Sequence, residues 1–261
     1  MKGNTTTALV TGASGGIGYE LAKLFAKDHH NLVLVARSAP RLSQVADELQ
    51  RQFGISAKAI PLDLTAAPAP HFLFDQLQRE GIPIDFLVNN AGYGVHGEFA
   101  KLSLEDSLGQ IQLNITALTT LTRLFLPPML ERGVGKILNV ASTAGFQPGP
   151  LMAVYYATKA YVISLSEALA NEVEKTGVTV TCLCPGPTGT GFQERAAIED
   201  SRLTKFGMMS AKAVAMDGYR GMLSGKTLII SGFRNWLVAE SVRFAPRRLV
   251  TALSRKLAEK T

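Results

Sequence analysis

Thr7-Ala8-Leu9-Val10-Thr11-Gly12-Ala13-Ser14-Gly15-Gly16-Ile17-Gly18 runs directly into Tyr19-Glu20-Leu21-Ala22-Lys23-Leu24-Phe25-Ala26, and the fold is decided at this join. The first four residues read as a short buried strand, and the stretch after Gly18 has the apolar spacing of a helix. Between them the glycines permit a tight turn and a close backbone approach. The helix that follows offers free amides and the positive end of its dipole to a pyrophosphate. A plain turn before a helix is the alternative; strand, glycine-rich turn and helix in succession favour the phosphate-binding element of a dinucleotide fold. The spacing is Gly-x-x-x-Gly-x-Gly over Gly12, Gly16 and Gly18.

Working outward, Asn31-Leu32-Val33-Leu34-Val35-Ala36 is a second buried strand ending at Arg37 and Ser38. In nicotinamide-binding folds an acid at this strand end bonds the ribose 2′-hydroxyl, whereas an arginine accommodates a 2′-phosphate. No acid stands here, so Arg37 with Ser38 favours the phosphorylated cofactor, NADP(H), over NAD(H), unless Arg37 merely caps a strand. Strand and helix then alternate at the lengths of βαβ units. A helix over 40–53 precedes a strand over 57–62 ending at Asp63-Leu64. A helix over 72–79 precedes Ile84-Asp85-Phe86-Leu87-Val88, which runs into Asn89-Asn90-Ala91-Gly92. Ser103 with Asp106 resembles a capping box for a long helix carrying Asn114, and Pro127-Pro128 is expected to kink or end it. The remaining strands are 136–140, 178–184 and 227–230, which makes seven. The expected architecture is a single α/β domain, a doubly wound seven-stranded parallel sheet of Rossmann type.

The composition is that of an ordinary globule: 46% hydrophobic, 18% charged, with mean hydropathy +0.14, which excludes disordered and fibrous classes. Cys182 and Cys184 lie two apart on one strand, share a face, and read as buried reduced thiols in a cytoplasmic protein. No metal set is expected. The net charge of +6 spreads evenly except in the tail, so nucleic-acid binding has little support without a recognised module.

Tyr155 and Lys159 stand four apart, one turn along a helix that continues to about 175. A cation so placed favours phenolate and draws a tyrosine pKa toward neutrality. Such pairs also arise by chance; the weight comes from what surrounds them. Ser142 follows the fifth strand at its C-terminal end, where open α/β sheets place ligands. Asn114 lies near the apolar side of its helix, where a polar amide needs a hydrogen-bonding reason to be present.

In their order and spacing these residues resemble the short-chain dehydrogenase/reductase family over about 7–232. The match comprises Thr11-Gly12-x-x-x-Gly16-x-Gly18, Asp63, Asn89-Asn90-Ala91-Gly92, Asn114, Ser142, Tyr155-x-x-x-Lys159 and Pro185-Gly186 with Thr190. The resemblance implies NADP(H)-dependent hydride transfer between nicotinamide and a carbonyl or secondary alcohol, with an apolar ketone, aldehyde or alcohol as substrate. Tyr155 would be the proton donor, Ser142 would hold the substrate oxygen, and Lys159 would lower the tyrosine pKa and bond the nicotinamide ribose. Asn114 would hold a proton-relaying water. Gly12, Ser14, Gly15, Gly16, Ile17 and Gly18 would cradle the pyrophosphate. Asp63 with Leu64 would meet the adenine, and Asn90, Ala91 and Gly92 would support the ring-binding turn. Pro185, Gly186, Thr188 and Thr190 would contact the carboxamide and pyrophosphate. Tyr156 and Tyr161 fail the spacing and are assigned to packing. A substrate lid is expected at about 186–209, including Phe192, Phe206, Met208 and Met209, with Phe146, Tyr93 and His96 lining the pocket. His96 is otherwise an ordinary loop histidine. A homodimer or homotetramer is implied. The alternative is a non-catalytic cofactor-binding regulator or scaffold, against which all four catalytic positions are filled.

Residues 233–261 exceed the family's usual ending as a basic amphipathic extension. One reading is a helix pair lying on an anionic membrane, a peripheral contact, or covering the substrate entrance. The plainer reading is an amphipathic helix packed on its own domain or on another subunit.

Overall fold

A computed structural model describes residues 6–192, 196 and 207–259. Among them the chain forms β1 (Thr7–Thr11), α1 (Gly16–Lys27), β2 (Asn31–Ala36), α2 (Ala39–Phe53), β3 (Ala57–Pro61), α3 (Ala69–Arg79) and β4 (Phe86–Asn89). There follow α4 (Leu104–Ile111), a π-helical segment (Gln112–Ala117), α5 (Leu118–Arg132), β5 (Gly135–Val140), α6 (Ala153–Glu172) and β6 (Val178–Cys184). Last come β7 (Thr188–Gly189), β8 (Met209–Ser210), α7 (Ala211–Leu223), β9 (Leu228–Ile230), α8 (Phe233–Ser241) and α9 (Arg247–Ala258). Seven strands make one parallel sheet in the order β3-β2-β1-β4-β5-β6-β9. The order reverses between β1 and β4, which opens a crevice at their carboxyl ends.

Successive strand residues face opposite sides, so the continuous apolar runs serve two cores. Ala8, Val10, Leu32 and Leu34 meet Leu21 and Phe25 of α1, Leu42 and Val45 of α2, and Val214 and Met222 of α7. Leu9, Val33, Val35 and Ile137 meet Leu73 and Leu77 of α3 and Leu121, Phe125 and Met129 of α5. Ser103 caps α4 as expected, the Asp106 amide donating to Ser103 Oγ at 2.9 Å, but the return bond runs from the Ser103 hydroxyl to the Asp106 carboxylate at 2.7 Å rather than from the Ser103 amide of a full capping box.

Pro127 and Pro128 do not end the helix, since both lie inside α5, which stops five residues after Pro127 at Arg132 before left-handed Gly133. The carbonyls that prolines leave without a helical donor are those four residues back, Arg123 and Leu124. Arg123 is exposed and Leu124 half-buried, so those carbonyls can turn to water. β7 and β8, not foreseen from the sequence, pair parallel through Thr188 with Met209 and Gly189 with Ser210. They draw together the two ends of the expected lid, of which 193–195 and 197–206 lie outside the described residues.

Beneath the crevice a buried chain of amides and hydroxyls ties the sheet to its helices. Asn89 Nδ2 donates to Thr122 Oγ1 at 3.0 Å and Asn139 Oδ1 at 2.9 Å, and Asn139 Nδ2 donates to Ser166 Oγ at 3.0 Å. Replacing Asn139 with Ala removes one hydrogen bond from each neighbour in a dry interior, leaving Asn89 with Thr122 and Ser166 with Val162 O. We expect a loss of about 1–3 kcal/mol, read as a lower urea midpoint at unchanged slope; an unchanged midpoint would show that the chain carries no stability.

Candidate active site

The site begins with Thr11. Its hydroxyl accepts the amides of Asn90 and Ala91, each at 3.0 Å, and donates to Val88 O at 3.1 Å, which pins the end of β1 to the end of β4. The Asn90 side chain turns back and donates to Thr11 O at 2.9 Å and Gly12 O at 3.3 Å. Gly12 (φ +68°) and Gly16 (φ +55°) take left-handed conformations that side chains resist. A Cβ on Gly18 would stand 2.3 Å from Gly12 O, so the turn folds tightly onto α1. At Gly15 the opposite holds: a Cβ there would have no atom within 4 Å, and no side chain caps α1. Free amides at a helix N-terminus facing open space fit a pyrophosphate. Thr190 covers the same turn, with its methyl 3.1 Å from the Gly16 Cβ position. Ile17 packs partly against the core, and Ser14 O accepts from Arg41 Nε at 3.2 Å.

At the end of β2, Arg37 and Ser38 are exposed, and Ser38 stands at the N-cap of α2 without using its side chain as a cap. Arg41, in the first turn of α2, brings a second guanidinium to this end. In the sequence Arg41 lies beyond the strand end, within the helical run, and nothing local marks it as reaching this corner. Asp63 Oδ1 accepts from the Thr65 amide at 2.9 Å and the Thr65 hydroxyl at 2.8 Å. Burial pushes the Asp63 pKa up, but those bonds and the nearby Arg37 charge outweigh it and leave the carboxyl below its usual range. Leu64 is buried in the core beneath.

Tyr155 and Lys159 share a face of α6. Lys159 is buried, and its Nζ donates to Val140 O at 2.8 Å and lies 5.7 Å from the Tyr155 ring centroid. Ser142 follows β5, its Oγ accepting the Ala144 amide at 3.1 Å and lying 3.4 Å from Pro185 O. Its hydroxyl also acts on the Tyr155 phenol, whose pKa it draws down. Asn114 sits in the π-helical segment, whose wider turn aims its side chain inward. Its Nδ2 donates to Tyr93 O at 2.9 Å and Thr158 Oγ1 at 3.0 Å, and its Oδ1 accepts the Tyr93 amide at 3.1 Å. Thr158 in turn donates to Tyr155 O at 2.7 Å, a link between Asn114 and the tyrosine's own helix that spacing alone did not reveal. The glycines of the loop after β4 allow close approach. A Cβ on Gly92 would lie 3.0 Å from Asn114 Oδ1 and 3.4 Å from Lys159 Nζ, and one on Gly94 would lie 2.9 Å from the Tyr155 ring.

The electrostatics differ from expectation. Burial pushes the Tyr155 pKa well above its ordinary value, and the Ser142 hydrogen bond offsets only part of that. Burial also brings Lys159 down to about 8, with the charges of Cys182 and Cys184 acting against it. Two groups in a dry pocket each favour their neutral form, and this outweighs the attraction expected of the pair. The two thiols are buried with Sγ atoms 3.7 Å apart.

The other expected pocket residues divide. Phe192 packs on Tyr155 at 5.2 Å between ring centroids, in a cluster with Ala144, Met152, Tyr156 and Ala196. Phe146 packs instead beside Val162 and Ile163, and Tyr93 reaches toward Gly109 of α4. His96 Nε2 donates to Ala258 O at 2.8 Å, fastening α9 to the loop beside the site. Asn235 of α8 lies against Gly186, and Thr188 donates to Gly186 O at 2.8 Å. Pro185 is buried, Met209 packs on the core, Met208 is half exposed, and Phe206 lies outside the described residues.

Sheet order, glycine turn and the tyrosine–lysine–serine set together define a nucleotide-dependent oxidoreductase. A family model described as short chain dehydrogenase matches residues 6–200. Over 210 residues the chain is 38% identical to the ketoacyl reductase HetN of Nostoc sp., covering 80% of this chain and 72% of that protein. Over 184 residues it is 38% identical to a very-long-chain 3-oxoacyl-CoA reductase of Anas platyrhynchos, covering 68% of this chain but only 58% of that one. A short-chain dehydrogenase from Sphingobium yanoikuyae, solved in complex with NADPH, is similar at TM-score 0.83 and 34% identity over 92% of this chain and 94% of that one. The chain belongs to the short-chain dehydrogenase family and is an oxidoreductase acting on CH–OH and C=O groups.

Two glycines separate frame from ligand. Gly18→Ala forces a Cβ onto backbone and is expected to cost about 1–3 kcal/mol, measured by thermal unfolding. Gly15→Ala, at an extended φ of −178° in open space, is expected to leave unfolding unchanged and weaken dinucleotide affinity. Equal melting losses in both variants would show that the turn is not divided in this way.

Proposed function

We propose that this chain is an NADP(H)-dependent reductase of apolar ketones, with 3-ketoacyl thioesters first among the substrates to try. The observation that carries the reading is the Tyr155 phenol, set inside an apolar cluster with the buried Lys159 amine one turn away, 5.7 Å from its ring centroid, and with Ser142 lowering its pKa. The cofactor is NADP(H). Arg37 and Arg41 supply guanidinium forks where a 2′-phosphate would lie, α2 begins there without a side-chain cap, and no acid stands at the end of β2 to repel it. The NADPH of the Sphingobium structure supports this assignment. When bound, the reduced nicotinamide supplies a hydride.

The chain's own residues do the rest. Ser142 donates a hydrogen bond to the carbonyl oxygen, and Tyr155, kept protonated by its dry surroundings, gives that oxygen its proton as negative charge develops. Lys159 sets positive charge beside the phenol so that it can release the proton. Asn114, fixed by the Tyr93 backbone and Thr158, holds α6 and the loop after β4 in register and faces the space where a relaying water would be bound. Phe192, Met152 and Tyr156 exclude water and favour an apolar substituent on the carbonyl carbon. Relatives named as ketoacyl and 3-oxoacyl-CoA reductases support the acyl assignment. An exposed apolar stripe of Leu104, Leu108 and Ile111 on α4, with Tyr161 on α6, supports assembly of two or four copies.

Turnover of ketones graded in chain length, followed by NADPH consumption, tests the substrate; rates that do not rise with acyl length would defeat the apolar assignment. Tyr155→Phe is expected to reduce kcat by about a thousandfold or more, at the scale of general acid catalysis, while NADPH still binds. Arg37→Asp should move preference toward NADH, and unchanged preference would remove Arg37 from phosphate reading. With Lys159 titrating near 8 and Tyr155 well above, kcat/KM for reduction should be level below pH 7 and fall tenfold per unit above about 8. Lys159→Arg should abolish that fall within the measurable range.

A further inference from the structure

The tail concentrates both charge and exposed apolar surface. Seven basic residues and two acids fall in 233–261, so five of the chain's six net positive charges belong to this segment. Arg243 pairs with Glu240 at 3.3 Å and Arg255 with Glu259 at 3.5 Å. Among the described residues Arg234, Arg247, Arg248 and Lys256 make no salt bridge.

On α8, Phe233, Trp236 and Leu237 form an i, i+3, i+4 stripe that faces outward, 75%, 45% and 55% exposed, and Ala239 is its only buried residue. The Phe233 and Trp236 rings stack at 5.8 Å. Phe244, in the turn to α9, is 88% exposed. The inward face of α9 is served by Val250, Ser254 and Ala258, which leaves Leu249 and Leu253 in solvent. Packing on the chain's own domain, the plainer expectation for this segment, accounts for these inner faces and not for the outer ones.

Beside the aromatic stack, a cleft of about 430 Å³ between α7, β9 and α8 is lined by Arg220 and Lys226, with Asp217 and Ser224 also on its wall. Neither cation makes a salt bridge among the described residues. Aromatic and leucine side chains ringed by unpaired arginines match an anionic bilayer, whose phosphates take the cations and whose headgroup boundary takes Trp and Phe. A second copy fits less well, since a twofold contact would set like-charged faces together. A nucleic acid would leave Leu237, Phe244 and Leu253 in water. No described helix is long and apolar enough to cross a membrane, so the contact is one of surface.

We propose that α8, α9 and the turn between them dock this enzyme on the surface of an anionic phospholipid bilayer, with a lipid phosphate seated at Arg220 and Lys226. The inner sides of the same helices hold Gly186 and His96 beside the catalytic cleft, so docking sets that cleft next to lipid.

The test is co-sedimentation of the full chain with phosphatidylglycerol/phosphatidylcholine vesicles and with phosphatidylcholine alone, a readout that needs no turnover and is separate from the substrate assignment. Binding to the anionic vesicles only is expected. The double variant Arg247→Gln/Arg248→Gln should bind roughly 25-fold more weakly, at about fivefold per charge. Arg220→Gln and Phe244→Ser should each weaken binding as well. All should reduce a water-soluble ketone at the parental rate, because none of these residues touches the catalytic set. Negligible sedimentation with anionic vesicles overturns the proposal, as does equal binding by parent and variants. It is also overturned if light scattering shows an oligomer that Phe244→Ser dissolves while vesicles are ignored, or if the tail retains DNA, unaffected by Phe244→Ser, in place of vesicles.

Discussion

The Thr11 hydroxyl is the joint on which the site depends. One oxygen accepts two successive amides from the strand on the far side of the switch point and donates to a third backbone group, all within 3.1 Å. A parallel sheet leaves its strand ends splayed where the order reverses, and the loops there would otherwise be independent. With Thr11 in place, the glycine turn after β1 and the loop after β4 form one surface. The Asn90 amide completes the seam from the other side. The free amides of the glycine turn on one element and the glycines beside Tyr155 and Lys159 on the other are thereby held at fixed separation.

Tyr155 and Asn114, the proposed catalytic groups, are held in place by neighbouring backbone and side chains. Thr158 sits between Asn114 and the Tyr155 backbone, and the Tyr93 backbone meets both ends of the Asn114 amide. A π-helical segment is a costly local geometry for a helix and recurs at functional sites. Here it lets a helix that buries Leu118 and Leu121 also present an amide to the crevice. Burial acts on both titrating groups toward neutrality, which keeps the Tyr155 proton on its oxygen and makes the Lys159 charge sensitive to pH.

Much of this was legible in the sequence, for identifiable reasons. Runs such as Leu32-Val33-Leu34-Val35 can be buried on both faces only in a covered parallel sheet. Gly12, Gly16 and Gly18 mark backbone that other residues cannot follow, and Ser103 with Asp106 marks a helix start. Signals of this kind are local. What escaped was tertiary. Pro127 and Pro128 are tolerated because the carbonyls they free belong to a solvent-facing stretch of α5. The sign of the Tyr155 shift depends on how dry the cluster around Phe192 and Met152 is, which spacing along α6 cannot express. Arg41 matters only because the end of α2 folds back onto Ser14, and Thr158 reads as one more small polar residue until Asn114 is laid across it. The tail's periodicity announced one amphipathic face, while the fold shows that its helices have an inner side and an outer one.

The short β7·β8 ladder has a consequence for how this framework can vary. Thr188 and Ser210 flank a span of more than twenty residues, yet the ladder sets the two ends side by side on the scaffold, one next to the glycine turn through Thr190 and the other opening α7. Closing a loop costs entropy that grows only slowly with its length, and here the closure is made by the frame itself. The intervening sequence is therefore an exchangeable cassette. Changes in its length or composition need not disturb the glycine turn or the Tyr155 helix that the frame holds.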